Sequence, residues 1–321
     1  MFLKWNSLRA ILRSIKDHVE SIASFDSFER PIFIIAPPRS GSTFLFDSLR
    51  QFNELHCLDA EADSIWWRVF PYDDMPYPSD YVGEEQVSPR NVREIRRLTY
   101  LAAAGIRCRK HGRWARIHNL RYLFGLKRIR YLDKTITNCF HLKFLDQAFP
   151  DAQYIMLLRD PQANISSMIE GWGRPEFSIP QLTPKVRQLR TATVECLTYA
   201  APPGWKDIVA CPLPQICAWM WMQHIEYALE FFRKQGKAYA VVRYEDLVEN
   251  NLQTVCELAT KLGLVVTKST MDYLEHPPLS RTTVSTPERT KWMTKNRVAI
   301  ESVRPMIKSL AEKIGYGALF G

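Results

Sequence analysis

Pro31-Ile32-Phe33-Ile34-Ile35-Ala36-Pro37-Pro38-Arg39-Ser40-Gly41-Ser42-Thr43-Phe44-Leu45 is the stretch from which the fold can be read. A short apolar run suited to a buried strand stops at Pro37 and Pro38, and the chain turns through small and basic residues. Phe44, Leu45, Leu49 and Phe52 then recur at helical spacing. The order is strand, anion loop, helix. The N–H groups of a first helical turn have no partner inside the helix, and the aligned peptide dipoles add a partial positive charge there. Such an end attracts phosphate or sulfate. Gly41 permits close backbone approach, Ser40, Ser42 and Thr43 offer hydroxyls, and Arg39 adds a fixed cation with several donors.

The loop is not built for ATP in the usual way. A nucleoside-triphosphate loop needs an opening glycine and a Gly-Lys-Ser/Thr ending whose hydroxyl holds magnesium. Ala36 stands where that glycine belongs, and Gly41 is followed by Ser42, so the motif lysine is missing.

The composition, 46% hydrophobic and 24% charged over 321 residues, is that of an ordinary globular protein. The net charge of +9 is local: residues 90–130 hold 13 Lys and Arg against the single acid Glu94, and the rest of the chain is net negative. Four of these arginines, Arg90, Arg93, Arg96 and Arg97, accompany the helical pattern Val92, Ile95, Leu98, Leu101, Ala102 and are expected to share a solvated side. The block suits a solvated face or an anionic partner such as an acidic sugar, a phospholipid headgroup or a carrier-linked substrate. No recognition module accompanies it, so nucleic acid is not expected. Seven cysteines, an odd number without a Cys-x-x-Cys pair, indicate neither zinc nor a full disulfide framework and fit a reducing cytoplasm. No apolar run approaches the roughly 20 residues that span a bilayer. The chain is expected to be soluble and cytoplasmic.

Residues 1–30 read as an N-terminal amphipathic helix, with Trp5, Leu8, Leu12, Ile15, Val19 and Ile22 on one face and Lys4, Arg9, Arg13 and Lys16 elsewhere. Such a face can dock on its own domain or a second subunit, or lie on an anionic membrane surface. Residues 31–321 read as a single α/β domain. A short strand is expected near Leu55, then an aromatic, proline-containing loop or lid from Trp66 to Tyr81. Asp151–Leu158 is the clearest buried strand, and Asp160-Pro161 is a helix start with Asp160 as N-cap. A helix is expected within 184–199 and another over 214–235. Strand 238–242 then leads to a helix closing at Gly263. Alternating strands and helices imply a parallel sheet covered by helices on both faces.

Four segments, Pro38–Thr43, Asp133–Asn138, Leu157–Ser167 and Val242–Leu247, together resemble the sulfotransferases that use 3′-phosphoadenosine 5′-phosphosulfate (PAPS), especially the carbohydrate, protein-tyrosine and bacterial branch. The resemblance spans about residues 31–300 and implies a P-loop-like α/β fold and metal-free sulfuryl transfer to an acceptor hydroxyl. It implies that Arg39 to Thr43 cradle the phosphosulfate, and that Arg159 and Ser167, eight residues apart, take the 3′-phosphate. Phe44 and Tyr244 fall where the family approaches adenine, and Lys291 lies in a late basic segment that closes over the 3′-phosphate. Lys134 matches the lysine near the transferring group, so Arg39 and Lys134 are the expected electrostatic catalysts. Cytosolic members carry a His base two residues after this lysine, but that position is Ile136 here. Other members use a Glu, a role that Glu61 fills with a one-residue insertion. Asp59 competes with it, and His56 and His141 are outsiders. The acceptor, a glycan, glycolipid or other natural product, is not readable. A magnesium-ATP small-molecule kinase and a non-catalytic nucleotide-binding protein are the alternatives.

Overall fold

The computed structural model describes residues 27–74, 78–110, 128–284, 288 and 290–320. Of the helix expected over residues 1–30, residues 1–26 lie outside them, as does the basic stretch 111–127, and residues 27–30 are not helical because Phe28 bridges Ile129 alongside the sheet. β1 (Ile32–Ile35) is the middle strand of a five-stranded sheet in the order β2-β3-β1-β4-β5, with β2 Leu55–Cys57, β3 Arg130–Asp133, β4 Gln153–Leu158 and β5 Tyr239–Arg243. All four pairings are parallel, Ile32 lying between Leu132 of β3 and Gln153 of β4. The side-chain period of two sends Phe33 and Ile35 into one core with Tyr131, Tyr154 and Met156. Ile32 and Ile34 enter a second core with Leu132, Ile155 and Leu157. Burial on both faces is why β1 and β4 read as unbroken apolar runs.

Helices cover both faces, as the alternation implies. In chain order the principal ones are α1 (Ser42–Leu49), α2 (Asp63–Val69), α3 (Pro89–Lys110), α4 (Asn138–Ala148), α5 (Pro161–Gly171), α6 (Thr183–Gln188), α7 (Leu213–Gln235), α8 (Tyr244–Glu249), α9 (Asn251–Leu262), α10 (Lys268–Glu275), α11 (Lys291–Lys295) and α12 (Arg297–Lys313). α1 and α9 bury Leu45, Leu49, Val255 and Leu258 in the second core. α4, α5, α7 and α12 bury Phe144, Met168, Trp221 and Ile307 in the first. Asp160 caps α5 as expected, its Oδ1 accepting the Gln162 amide at 2.8 Å. No described helix is long and apolar enough to cross a membrane.

Four local expectations change. The segment read as a loop from Trp66 opens inside α2, because Trp66 and Ile65 have a surface to cover: Trp66 packs 4.0 Å from the His141 ring and 5.4 Å from Phe144. The helix expected within 184–199 stops at Gln188. Beyond it the Thr193 amide pairs with the Val209 carbonyl, and Ser178 bridges Thr198, so these backbone groups are taken by other partners. The helix ending at Gly263 is two helices, α8 and α9, broken at Asn250, whose φ of −138° is not helical. In α3, Arg90 and Arg93 are exposed, but Arg96 folds inward against the rings of Phe28 and Phe149, 5.2 and 5.3 Å away, and donates to the Ala148 carbonyl.

Candidate active site

The candidate residues converge because each follows the carboxyl end of a parallel strand, the edge at which open α/β sheets bind ligands. β1 leads to Arg39–Thr43, β2 to Asp59 and Glu61, β3 to Lys134, β4 to Arg159 and β5 to Tyr244. β1 has β3 on one side and β4 on the other, so its loop opens at the point where the chain order reverses.

The loop's backbone is held open from outside. Gly41 has φ 94°, and a Cβ there would stand 2.3 Å from Tyr244 Cδ2, so both conformation and space require glycine. Arg39 has φ 64°, a left-handed conformation uncommon outside glycine. Arg159 Nη1 donates to the Arg39 carbonyl at 2.8 Å, and Asn164 Nδ2 donates to the Pro38 carbonyl at 2.6 Å. The Arg39 guanidinium lies 4.7 Å from the Phe177 ring centre and donates to the Thr282 carbonyl at 3.0 Å. Burial pulls its pKa below the ordinary value, and nearby Arg159 and Arg174 act in the same direction. Arg159 in turn lies 4.5 Å over Tyr244, so two arginines and a tyrosine interlock around Gly41.

A cavity of about 310 Å³ opens above this loop. Arg39, Gly41, Ser42, Thr43, Phe44, Arg159, Ser167, Tyr244 and Lys291 all line it. Ser40 is the exception, fully buried and outside the lining. Arg39 Nε is buried without a hydrogen-bond partner in the wall, and the first turn of α1 supplies backbone donors. A donor set of this kind fits an anionic nucleotide. Lys291 Nζ is 2.6 Å from Glu170 Oε2.

A second, open cavity of about 680 Å³ shares Glu61, Ile136, Phe177 and Tyr199 with the first. Lys134 lines this one and not the first. Its ammonium lies 2.5 Å from Glu61 Oε1, and Glu61 Oε2 accepts the Ile136 amide at 3.2 Å. Asp133 holds this arrangement together: its carboxylate accepts Thr135 Oγ1 at 2.9 Å and Asn138 Nδ2 at 2.6 Å, and Thr135 Oγ1 accepts the Ala62 amide at 2.7 Å. Burial raises the Asp133 pKa. Asp63, two residues after Glu61, accepts Thr137 Oγ1 at 3.0 Å and is pushed well up, first by burial and next by the Glu61 charge. Asp59 has a side chain 56% exposed, beside Arg50 at 3.5 Å. Of the histidines, His56 is buried in β2 and His141 beneath Trp66, and neither lines the two cavities.

Sequence reasoning missed the 277–284 segment, which runs along both cavities and donates from Arg281 Nη1 to the Asp59 carbonyl at 3.1 Å. Pro277-Pro278 marked an irregular segment, but nothing local marked where it lies. Asp133, Thr135, Asn138 and Glu170 were also missed as supports, although the polar run after β3 carried the first three.

An anion loop without the magnesium-holding lysine–hydroxyl pair, facing a carboxylate–lysine pair across a shared wall, defines an α/β enzyme that transfers an anionic group. Residues 31–204, more than half of the chain, match the Sulfotransferase family. The chain belongs to that family and is a sulfotransferase. Among solved structures it is similar to sulfotransferase STF9 from Mycobacterium avium, at 16% identity over 94% of this chain and 81% of that one, with TM-score 0.49. The sulfotransferase domain of the curacin biosynthetic pathway shares 15% identity over 88% and 98%, with TM-score 0.47. Mouse sulfotransferase SULT7A1 complexed with PAP shares 14% over 84% and 72%, with TM-score 0.39. No curated protein sequence matches the chain.

Proposed function

We propose that the smaller cavity holds PAPS and the larger one a hydroxylated acceptor, with Glu61 at their shared wall as the general base. The observation that carries this reading is that Glu61 lines both cavities while bonded to Lys134. Arg39, Gly41, Ser42 and Thr43 hold the phosphosulfate through the first turn of α1, with Ser40 shaping the loop from beneath. Arg159, Ser167 and Lys291 take the 3′-phosphate, and Phe44 and Tyr244 border the adenine. Bound PAPS supplies an activated sulfuryl group.

Glu61 accepts the acceptor's hydroxyl proton as the acceptor oxygen bonds to sulfur, and the S–O bond to the 3′,5′-bisphosphate breaks with its electron pair leaving on that product. Lys134 and Arg39 stabilise the charge growing on the leaving oxygen. Phosphoryl transfer works on the same positioning and electrostatics, here without magnesium. The acceptor cavity combines Trp67, Tyr72, Phe177 and Tyr199 with the carboxyl groups of Asp59, Glu61, Asp63, Asp80 and Glu176 and the cations Lys134, Arg174 and Arg281. Aromatic faces interleaved with hydrogen-bonding groups of both signs support a hydroxyl-rich acceptor such as a glycan.

Calorimetry with adenosine 3′,5′-bisphosphate, ADP and ATP, with and without magnesium, tests the donor half without knowledge of the acceptor. The expected result is a magnesium-independent preference for the bisphosphate. Preference for magnesium-ATP would overturn the assignment and favour a kinase.

A further inference from the structure

A site made to hold an anionic nucleotide contains a carboxylate of its own. Glu170, in the last turn of α5 and one turn beyond Ser167, lines the nucleotide cavity with Arg39, Arg159 and Lys291. It pairs with Lys291 at 2.6 Å, both side chains being about four-fifths buried, with exposures of 22% and 19%. A fixed carboxylate beside a phosphate site opposes the ligand it faces, both by its own charge and by competing for the cation that the phosphate would take.

The pair is not what holds α11 in place. Asn296, just past α11, donates from Nδ2 to Ser166 Oγ at 2.9 Å, and Trp292 is buried in the core. Those contacts tie the segment to α5 independently of Glu170.

We infer that Glu170 is a specificity and release determinant of the donor site: it holds Lys291 between turnovers and yields it to the 3′-phosphate. This rests on the reading of the smaller cavity as the PAPS site. The 3′-phosphate exchanges one partner of Lys291 for another, so every nucleotide carrying that phosphate binds against the Glu170–Lys291 contact. The same contact re-forms as the bisphosphate product departs, which speeds its release. A nucleotide with only a 5′-phosphate leaves the pair alone.

The test is calorimetric binding of adenosine 3′,5′-bisphosphate and adenosine 5′-monophosphate to the wild type, Glu170→Gln, Lys291→Ala and the double variant. Glu170→Gln is expected to bind the bisphosphate about tenfold more tightly, one charge-assisted contact no longer being contested. Its affinity for the monophosphate stays within about twofold. In the Lys291→Ala background the gain from Glu170→Gln falls below about threefold. Unchanged or weaker bisphosphate binding in Glu170→Gln overturns the inference, as does an equal gain for the monophosphate, which would mark a general field effect. A tenfold gain that survives in the Lys291→Ala background also overturns it, since Glu170 would then act without Lys291. A wild type that binds the two nucleotides equally removes the 3′-phosphate site itself, and so the donor reading fails before Glu170 is reached.

Discussion

Glu61 and Lys134, 73 residues apart in sequence, meet at 2.5 Å on the wall between two cavities. The second Glu61 oxygen is fixed by the Ile136 amide, so the carboxylate is oriented from the loop that also carries Lys134. A positioned base contributes roughly 10²–10⁴-fold to a rate. Glu61→Gln is therefore expected to lower turnover by that order while bisphosphate affinity stays nearly unchanged. Asp59→Asn, in an exposed pair of small energetic weight, leaves turnover within about twofold. If steady-state kinetics reverse this ranking, Asp59 is the base.

Lys134→Ala should lower turnover by roughly 10²–10³-fold, the effect of removing a preorganised charge at a developing anion. Calorimetry should find a much smaller loss of nucleotide affinity, because Lys134 does not line the nucleotide cavity. Equal losses in both would make it a binding residue only.

Arg159 lines the smaller cavity as a cation and donates to the carbonyl of Arg39, whose φ is 64°. A charge-assisted contact to phosphate is worth roughly 1.5–3 kcal/mol, so Arg159→Ala should weaken adenosine 3′,5′-bisphosphate by more than tenfold. Because the loop loses its support as well, affinity for adenosine 5′-monophosphate should fall too, by a smaller factor. A loss confined to the bisphosphate would show that the loop holds its shape without this hydrogen bond.

The parts legible in the sequence were those with a local cause. Ile32–Ile35 and Gln153–Leu158 are buried on both faces, which the apolar runs displayed directly. Asp160-Pro161 carried its own cap signal, and the loop's glycine and hydroxyls stood together in one string. The helix containing Trp66 was misread because its stability comes from Phe144 and His141, more than 70 residues away. The 277–284 segment acquires its role only through Arg39, Asp59 and the cavities it borders. Glu170 looked like an ordinary helical glutamate until α11 brought Lys291 against it.

Gly41→Ala offers a test of the interlock around the loop. The added Cβ would lie 2.3 and 2.4 Å from two Tyr244 ring atoms at a backbone φ that non-glycine residues rarely adopt. Thermal melting should show a loss of roughly 1–3 kcal/mol, with weakened nucleotide binding. Adding Tyr244→Ala relieves the clash but not the φ strain, so the double variant should recover part of the stability relative to Gly41→Ala. No recovery would mean that backbone strain alone accounts for the loss.

Two buried histidines give stability a pH dependence whose sign can be worked out. His141 lies under Trp66, and His224 packs 4.8 Å from Phe140 with Nδ1 donating to the Met220 carbonyl at 2.7 Å. Burial pulls their pKa values down to about 3 and about 4. The unfolded chain, with an ordinary value near 6.5, takes up these protons first as pH falls. Their stability contribution is therefore complete above about pH 6.5 and is lost progressively toward pH 3–4, at about 2 kcal/mol per histidine by pH 5. Asp63, Asp80 and Asp133 have the opposite sign, since burial raises their pKa values and the folded state takes up those protons first. The wild-type curve mixes the two, so the decisive measurement is the difference between wild type and His141→Phe in denaturant midpoints from pH 8 to 4.5. The curves should run parallel above pH 7 and converge or cross below 6.5, the variant losing less stability. Curves that stay parallel to pH 4.5 would mean that the His141 proton is gained in the folded state as readily as in the unfolded one.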